Sequence, residues 1–269
     1  MHIQMVDAKN LLTKSKLPDA DYVINPYIGC NHGCVYCYAE FMSRFTGHAG
    51  EEWGSFMDVK KNDKPFPKNL VGKSILIGSA TDPYNPLEKR YEKTREILIR
   101  LQDTEARVEI LTKSPLVLRD LDIISTQCIR VGISLGTMDA EFARLTEKHA
   151  ASPQQRLETI RVLNEARVEV YAFISPIFPL FSDWKTVANE TEKYVSQICF
   201  ENLNLRGGYK RRVLDLISTR YPEKSEEFSY IFNENKVAYW QDVERQIHEY
   251  MASKPYKVYF FHEKIKKGR

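Results

Sequence analysis

Cysteine is scarce in this chain, five in 269 residues, and the odd number is unsuited to a secreted disulfide framework. That odd number, clustered rather than scattered, points to a reducing compartment, the cytoplasm. No run approaches the ~18 consecutive apolar residues that a membrane span needs. The most apolar segment, 168–181, is interrupted by Ser175, Pro176 and Pro179, so no membrane association is expected. The opening Met1-His2-Ile3-Gln4-Met5 lacks the basic-then-apolar layout of a signal peptide. Net charge is +3, too small an imbalance to argue for nucleic-acid binding by itself. Glycine fingerprints for dinucleotides, phosphate loops and nucleophile elbows are all missing, and no repeat of fixed period is visible. Otherwise the composition, 43% hydrophobic and 28% charged, is that of a globular protein with a sizeable core.

Against that background one stretch stands out: Asn25-Pro26-Tyr27-Ile28-Gly29-Cys30-Asn31-His32-Gly33-Cys34-Val35-Tyr36-Cys37-Tyr38. It gathers Cys30, Cys34 and Cys37 in a C-x3-C-x2-C spacing. Thiolate is a soft ligand that suits zinc, copper(I) or an iron–sulfur cluster. Zinc sites usually close with four ligands, often as two separated pairs, and no second cysteine pair exists here. A three-cysteine zinc knuckle would need His32 or His48 as fourth ligand. Three thiolates on one short loop can instead hold three corners of a [4Fe–4S] cube and leave the fourth iron open for a substrate or cofactor. Structural clusters normally take four cysteines. Cys128 and Cys199 are isolated and read as structural. His32, His48, His149, His248 and His262 show no metal-pairing pattern, and His32 reads as a turn residue.

Along the chain, 1–20 reads as a loosely packed entry segment and 22–28 as a first strand feeding the cysteine loop. A helix begins near Tyr38, and 47–69 reads as a long loop over the cluster. Further strands are expected at 74–79, 107–111, 130–135, 167–174 and 197–205. Helices are expected between them, with Ser114, Ser152 and Asp183 as caps. Helical segments follow at 209–219, 223–232 and 236–252, the last amphipathic, then a short strand at 256–261. Strands alternating with helices imply a parallel sheet, either a partial barrel or an open doubly wound sheet. Polar groups at the strand ends would then share one face: Ser79, Thr81, Asp82, Lys113, Ser134, Ser175, Glu201, Asn202, Asn204 and Arg206. For an amino acid–nucleoside cofactor, Lys113 suits the carboxylate, Ser134 and Asn204 suit the ribose, and Tyr36 and Ile177 could wall the adenine. The basic groups Lys210-Arg211-Arg212 and Lys264, Lys266, Lys267 and Arg269 read as a solvated helix face and a terminus.

The cysteine spacing, with aromatic Tyr36 just before the last cysteine, resembles the cluster loop of the radical SAM superfamily. That resemblance implies an α/β fold, a partial (β/α)6 TIM-type barrel with a helical C-terminal extension. Residues 1–206 would be the core domain (cluster loop 25–38) and 207–269 the extension packed on it. It further implies a [4Fe–4S] cluster on Cys30, Cys34 and Cys37, whose open iron takes S-adenosylmethionine. Reductive cleavage would yield a 5′-deoxyadenosyl radical that abstracts hydrogen from substrate. An external electron donor of flavodoxin or ferredoxin type is implied too. The runs Ile77-Gly78-Ser79-Ala80-Thr81-Asp82-Pro83-Tyr84-Asn85-Pro86-Leu87-Glu88, Leu111-Thr112-Lys113, Ile133-Ser134, Ser152-Pro153-x-x-Arg156-Leu157 and Ser175-Pro176-Ile177 are similar to spore photoproduct lyase-like proteins. The likeness spans about residues 20 to 206 and carries Lys113 and Ser134 over as cofactor contacts. It makes a nucleic-acid base one candidate substrate. A departure is Ser79, which stands where those lyases place a hydrogen-donating cysteine; an O–H bond is too strong for that role. Two other readings remain: a zinc-stabilised binding module, and a partner-dependent subunit that modifies a protein or peptide.

Overall fold

The computed structural model describes residues 1–127 and 129–260. Cys128, Phe261, His262 and the basic tail Lys264 to Arg269 lie outside the described residues. Strands are numbered in chain order: β1 His2–Asp7, β2 Leu12–Lys14, β3 Tyr22–Ile24, β4 Tyr27–Ile28, β5 Phe56–Lys61 and β6 Ser74–Ile77. They continue with β7 Arg107–Thr112, β8 Arg130–Ser134, β9 Val170–Ile177, β10 Gln197–Asn202 and β11 Tyr256–Tyr259. The main sheet runs β11-β10-β9-β8-β7-β6-β3-β2. Every pairing from β3 to β11 is parallel, and β2 joins antiparallel at the edge. The strands follow chain order across the sheet, as right-handed crossovers produce. The expected partial barrel is therefore present, with β11 as an added parallel strand. Its two edges approach through side chains: Lys257 Nζ and Tyr259 Oη on β11 each donate to Asp19, just before β3, at 2.8 Å.

Strand alternation divides the residues between two environments. Ile75 and Ile77, Val108 and Ile110, Val131 and Ile133, Ala172 and Ile174, and Ile198 and Phe200 are buried in the hydrophobic core. Their neighbours on the other face, including Leu76, Glu109, Leu111, Arg130, Tyr171, Phe173 and Cys199, line an interior cavity. The inner face is thus the more polar one. Gly132 belongs to it because a Cβ there would meet the Tyr171 ring at 2.1 Å.

Three N-terminal expectations are corrected. The strand expected over 22–28 breaks at Asn25-Pro26, because proline has no amide hydrogen for the ladder. Tyr22–Ile24 stays in the main sheet, while Tyr27–Ile28 leaves it to pair with β5. The supposed entry segment and the supposed loop over 47–69 supply β1 and β5. These pair in parallel to complete a second sheet, β1-β5-β4. Phe56, Met57 and Val59 of β5 are fully buried. The flanking Gly, Pro and Lys residues hide this short apolar run from a periodicity reading.

The helices are α1 Glu88–Tyr91, α2 Lys93–Leu101, α3 Leu121–Ile124, α4 Ala140–Thr146, α5 Pro153–Glu165, α6 Trp184–Thr191, α7 Gly207–Arg220, α8 Pro222–Asn233 and α9 Lys236–Tyr250. Caps fall where expected. Ser114 accepts from the Leu116 amide, Asp183 accepts from Thr186, and Ser152 with Gln155 forms a reciprocal capping box before Pro153. Residues Tyr38–Phe45 form a 3₁₀ helix. In α7 to α9, Val213, Ile217, Phe228, Trp240 and Ile247 join the same core as the barrel helices. Core packing is what that amphipathic face does. Among the described residues no helix is long and apolar enough to cross a membrane.

Candidate active site

The cysteine loop leaves β4 through Gly29, whose φ of +90° is open only to glycine without strain. Any Cβ there would sit 2.4 Å from the Phe56 carbonyl oxygen of β5. Thr81, beyond β6, donates to the Gly29 carbonyl at 2.6 Å. On its other side the loop is stitched to the end of α4. The Val35 amide donates to Thr146 O at 2.9 Å, the His149 amide to His32 O at 2.9 Å, and Cys34 bridges Glu147. The cysteines are thus suspended between the second sheet and the segment after β8.

Cys30, Cys34 and Cys37 are free thiols and all three line the interior cavity. Burial pushes the Cys30 thiol up to about 12, with the charges of Asp82 and Cys37 adding to it. Burial likewise raises Cys34 and Cys37. Such thiols stay protonated unless a cation draws off the proton, which bound iron or zinc does. Among the described residues, no group of three or more His, Cys, Asp or Glu is placed to hold a single metal ion. A mononuclear zinc site needs four donors about 2.0–2.3 Å from one point. A cube instead spreads its protein ligands over separate irons. His32 is buried and turns Nδ1 toward Asp82 at 3.5 Å, and burial holds its imidazole below the usual range. The donor set fits a three-thiolate cluster better than a closed zinc site.

Beside the loop lies a charged network that no local pattern announces. Glu147 receives hydrogen bonds from Tyr36 and Arg156, and Lys113 Nζ approaches it at 3.0 Å. Burial alone would raise the Glu147 carboxyl. The charges of Arg156 and Lys113 and the two hydrogen bonds outweigh it and hold the group well below the usual carboxylate range. Arg156 also donates to Ala151 O at 2.9 Å and Ser134 O at 3.1 Å. Lys113 donates to Ser134 Oγ at 2.6 Å, and its ammonium lies 5.8 Å from the centre of the Tyr36 ring. An ammonium has three donor positions. Glu147 and Ser134 take two, leaving one for a ligand. Two cations on one carboxylate leave this set net positive.

The other expected residues divide. Asp82 is a structural anchor: it accepts from Thr112 Oγ1 at 2.6 Å, from the Lys113 amide at 2.7 Å and from the Tyr84 amide at 2.9 Å. It thereby fixes the turn that presents Lys113. Ser79 accepts from Asn25 at 2.9 Å, while Tyr38 donates to its carbonyl. Asn204 and Arg206 line the cavity rim, with Arg206 Nε donating to Asn204 Oδ1 at 3.1 Å. Ile177 is not brought to the site. Ile174 pairs with Phe200 but Ile177 with Asn202, so an extra residue bulges at Ser175-Pro176. The bulge turns Ile177 into the core. Glu201 lines the cavity, accepts from Ser175 and has its carboxyl raised by burial. Glu147 and Arg156 escaped the sequence reading as site residues. Glu147 lies between α4 and α5, far from any strand end, and only the Arg156 within a quoted motif hinted at it.

The cavity measures about 1780 Å³ and runs from the cysteine loop down the inner face to Arg130, Lys257 and Tyr259 near the opposite barrel end. It is large enough for a nucleoside cofactor and a substrate together.

Comparison with known proteins accords with this geometry. The chain is 36% identical over 250 residues to an uncharacterized protein of Methanocaldococcus jannaschii, covering 92% of each. It shares its fold with spore photoproduct lyase complexed with dinucleoside spore photoproduct. The TM-score is 0.68 at 17% identity, over 96% of this chain and 82% of that one. A variant of the lyase with bound AdoMet and dinucleoside spore photoproduct aligns at TM-score 0.65 and 16% identity, over 96% and 82% of the two chains. Residues 24–188, which hold the cysteine loop, Lys113, Ser134, Glu147 and Arg156, match the Radical SAM superfamily. The chain belongs to that superfamily and is a radical SAM enzyme.

Proposed function

We propose that Cys30, Cys34 and Cys37 hold a [4Fe–4S] cluster with one open iron, and that the enzyme abstracts hydrogen from a nucleic-acid base held in the barrel cavity. The observation that carries this is the cavity itself: three thiols and the Lys113–Ser134 pair line one space with room for cofactor and substrate. When bound and reduced by an external flavodoxin or ferredoxin, cluster and S-adenosylmethionine supply the 5′-deoxyadenosyl radical.

The chain's own residues bind, orient and exclude water. Lys113, with one donor position to spare, receives the cofactor carboxylate as a charge-assisted hydrogen bond. Glu147 holds Lys113 and the Tyr36 hydroxyl together, so that the ammonium and the ring wall of the adenine side are set before the cofactor arrives. Ser134 and Asn204 offer hydroxyl and amide partners to the ribose. Thr81 and Asp82 act one step back, by holding Gly29 and the Lys113 turn. Residues 1–206 are the core and 207–269 the extension, of which Gly207, Tyr209 and Arg212 reach the cavity, in a protein of the reducing cytoplasm. The nucleic-acid reading of the substrate draws on the fold shared with a lyase complexed with a dinucleoside photoproduct. Ser79 in place of a thiol argues against the same hydrogen-return step. A substrate on a partner protein is the second reading; nothing in the cavity favours it.

Anaerobic reconstitution should give a brown protein that forms 5′-deoxyadenosine under dithionite. Deuterium-labelled oligonucleotides should pass deuterium into that product. A colourless protein with stoichiometric zinc would reject the cluster. Cleavage without deuterium transfer from any nucleic acid would reject the substrate class alone.

A further inference from the structure

Arg206 on the cavity rim, with Lys210 and Lys236 just outside the lining, forms a group of cations that the cysteine-loop chemistry does not use. Arg206 leads into α7, Lys210 lies in its first turns, and Lys236 opens α9. α8 packs on α7 and α9 on α8, which brings all three near one another. Arg206 Nε, at 3.1 Å, and Lys236 Nζ, at 3.3 Å, donate to the same atom, Asn204 Oδ1. Lys210 Nζ donates to Asn233 Oδ1 at 3.2 Å. Burial, then the charges of Arg206 and Lys210, lower the Lys236 ammonium from its ordinary value. Among the described residues none of these three forms an ion pair, although neighbouring Arg212 pairs with Glu40 at 2.6 Å and Lys257 with Asp19 at 2.8 Å. Like charges held together by neutral amide oxygens repel, and an arriving anion relieves that repulsion.

Two exposed aromatic rings stand on the helix that packs against α7. The 3₁₀ helix that follows Cys37 packs on α7, its Glu40 accepting from the Tyr209 amide at 2.8 Å. Phe41 and Phe45 of this helix are 44% and 71% exposed, with ring centroids 6.4 Å apart. Phe41, Asn204 and Arg206 line the same cavity.

We propose that Arg206, Lys210 and Lys236 form a phosphate-binding subsite that starts at the cavity rim and runs outward from it, holding the backbone of a single-stranded nucleic acid while one base enters the barrel. This rests on the nucleic-acid reading of the substrate given above. Phosphate contacts set register and position without reading sequence. The arginine offers a planar fork and the lysines point charges. Phe41, exposed and lining the same cavity as Arg206, favours a single strand over an acidic peptide, because every base presents a face for stacking. The chain's small net charge does not oppose this, since the relevant charge is local and was assembled by folding.

The test is fluorescence anisotropy of labelled mixed-sequence DNA and RNA single strands with the reconstituted holoprotein, between about 50 and 200 mM salt. Against wild type stands K210Q/K236Q, with K210R/K236R as the charge-preserving control and circular dichroism and iron content as checks of folding. Loss of two single-strand phosphate contacts should lower the slope of log affinity against log salt by roughly 1.4. Affinity at low salt should fall at least about tenfold in the Gln pair and persist in the Arg pair. If wild type binds the strands and K210Q/K236Q matches it in slope and affinity, the subsite is overturned while the nucleic-acid substrate stands. If wild type binds neither strand, both readings fall. Binding of poly-glutamate as tight as that of DNA would assign the cations to an acidic protein and overturn the proposal.

Discussion

Glu147 is the residue whose replacement tests the site most directly. Its side chain is 7% exposed and that of its partner Arg156 is 2% exposed, so both charges are sheltered from water. Removing one member of such a pair strands the other, at a cost of about 3–5 kcal/mol. A domain holds about 5–15 kcal/mol in total, so Glu147→Gln should fold but show a large loss in urea melts at pH 7. The pH dependence supplies the sign. The folded carboxyl is held below its ordinary value of 4.5, so its stabilisation is complete above that pH. As pH falls below about 4.5, the unfolded chain takes up a proton that the folded chain refuses. Stability then drops by up to about 1.4 kcal/mol per pH unit until the folded group titrates as well. Glu147→Gln lacks that proton, so the gap between wild type and variant should narrow by about 1 kcal/mol between pH 4.5 and 3.5. Urea melts across pH 7 to 3.5 measure both curves. An equal stability at pH 7, or a gap that stays constant on acidification, would refute the reasoning.

Lys113→Ala should leave iron and sulfide content unchanged while weakening S-adenosylmethionine binding by about ten- to a hundredfold, the worth of a charged hydrogen bond; equal affinity by calorimetry would discard its role. Gly29→Ala forces a Cβ to 2.4 Å from the Phe56 carbonyl at a φ of +90°, so it should destabilise the chain by about 1–3 kcal/mol and lower iron incorporation; a thermal melt and iron assay matching wild type would contradict this. Alanine at Cys30, Cys34 or Cys37 should each abolish the brown chromophore. Cys199→Ala should keep it, because Cys199 lies on β10, away from the cysteine loop, where its thiol faces Gln197 Oε1 at 3.6 Å; iron loss in that variant would contradict the assignment.

Much of the fold was legible from periodicity. The strands β6 to β10 are short apolar-rich runs bounded by turn residues and alternate with helices, which is the pattern of a parallel sheet. Ser114, Ser152 and Asp183 announced helix starts through chemistry confined to three or four residues. The second sheet was not legible. In β5 the apolar positions are few and the flanks are loop-like, and its partners, β1 and β4, lie far away in sequence. Ile177 shows the same limit at one residue. Alternation places it on the cavity face, and a bulge opposite Glu201 turns it away.

The sequence alone determined the cysteine loop and the order of the strands, because both depend on spacings of a few residues: three thiols within eight positions, and apolar runs long enough for one strand. Only the tertiary structure decided which charges meet. Glu147 reaches Tyr36, Lys113 and Arg156, and Arg206 and Lys236 share Asn204, across separations that carry no local signal. Coulomb interaction acts through space rather than along the chain, and its strength here comes from burial that exists only once the chain has folded.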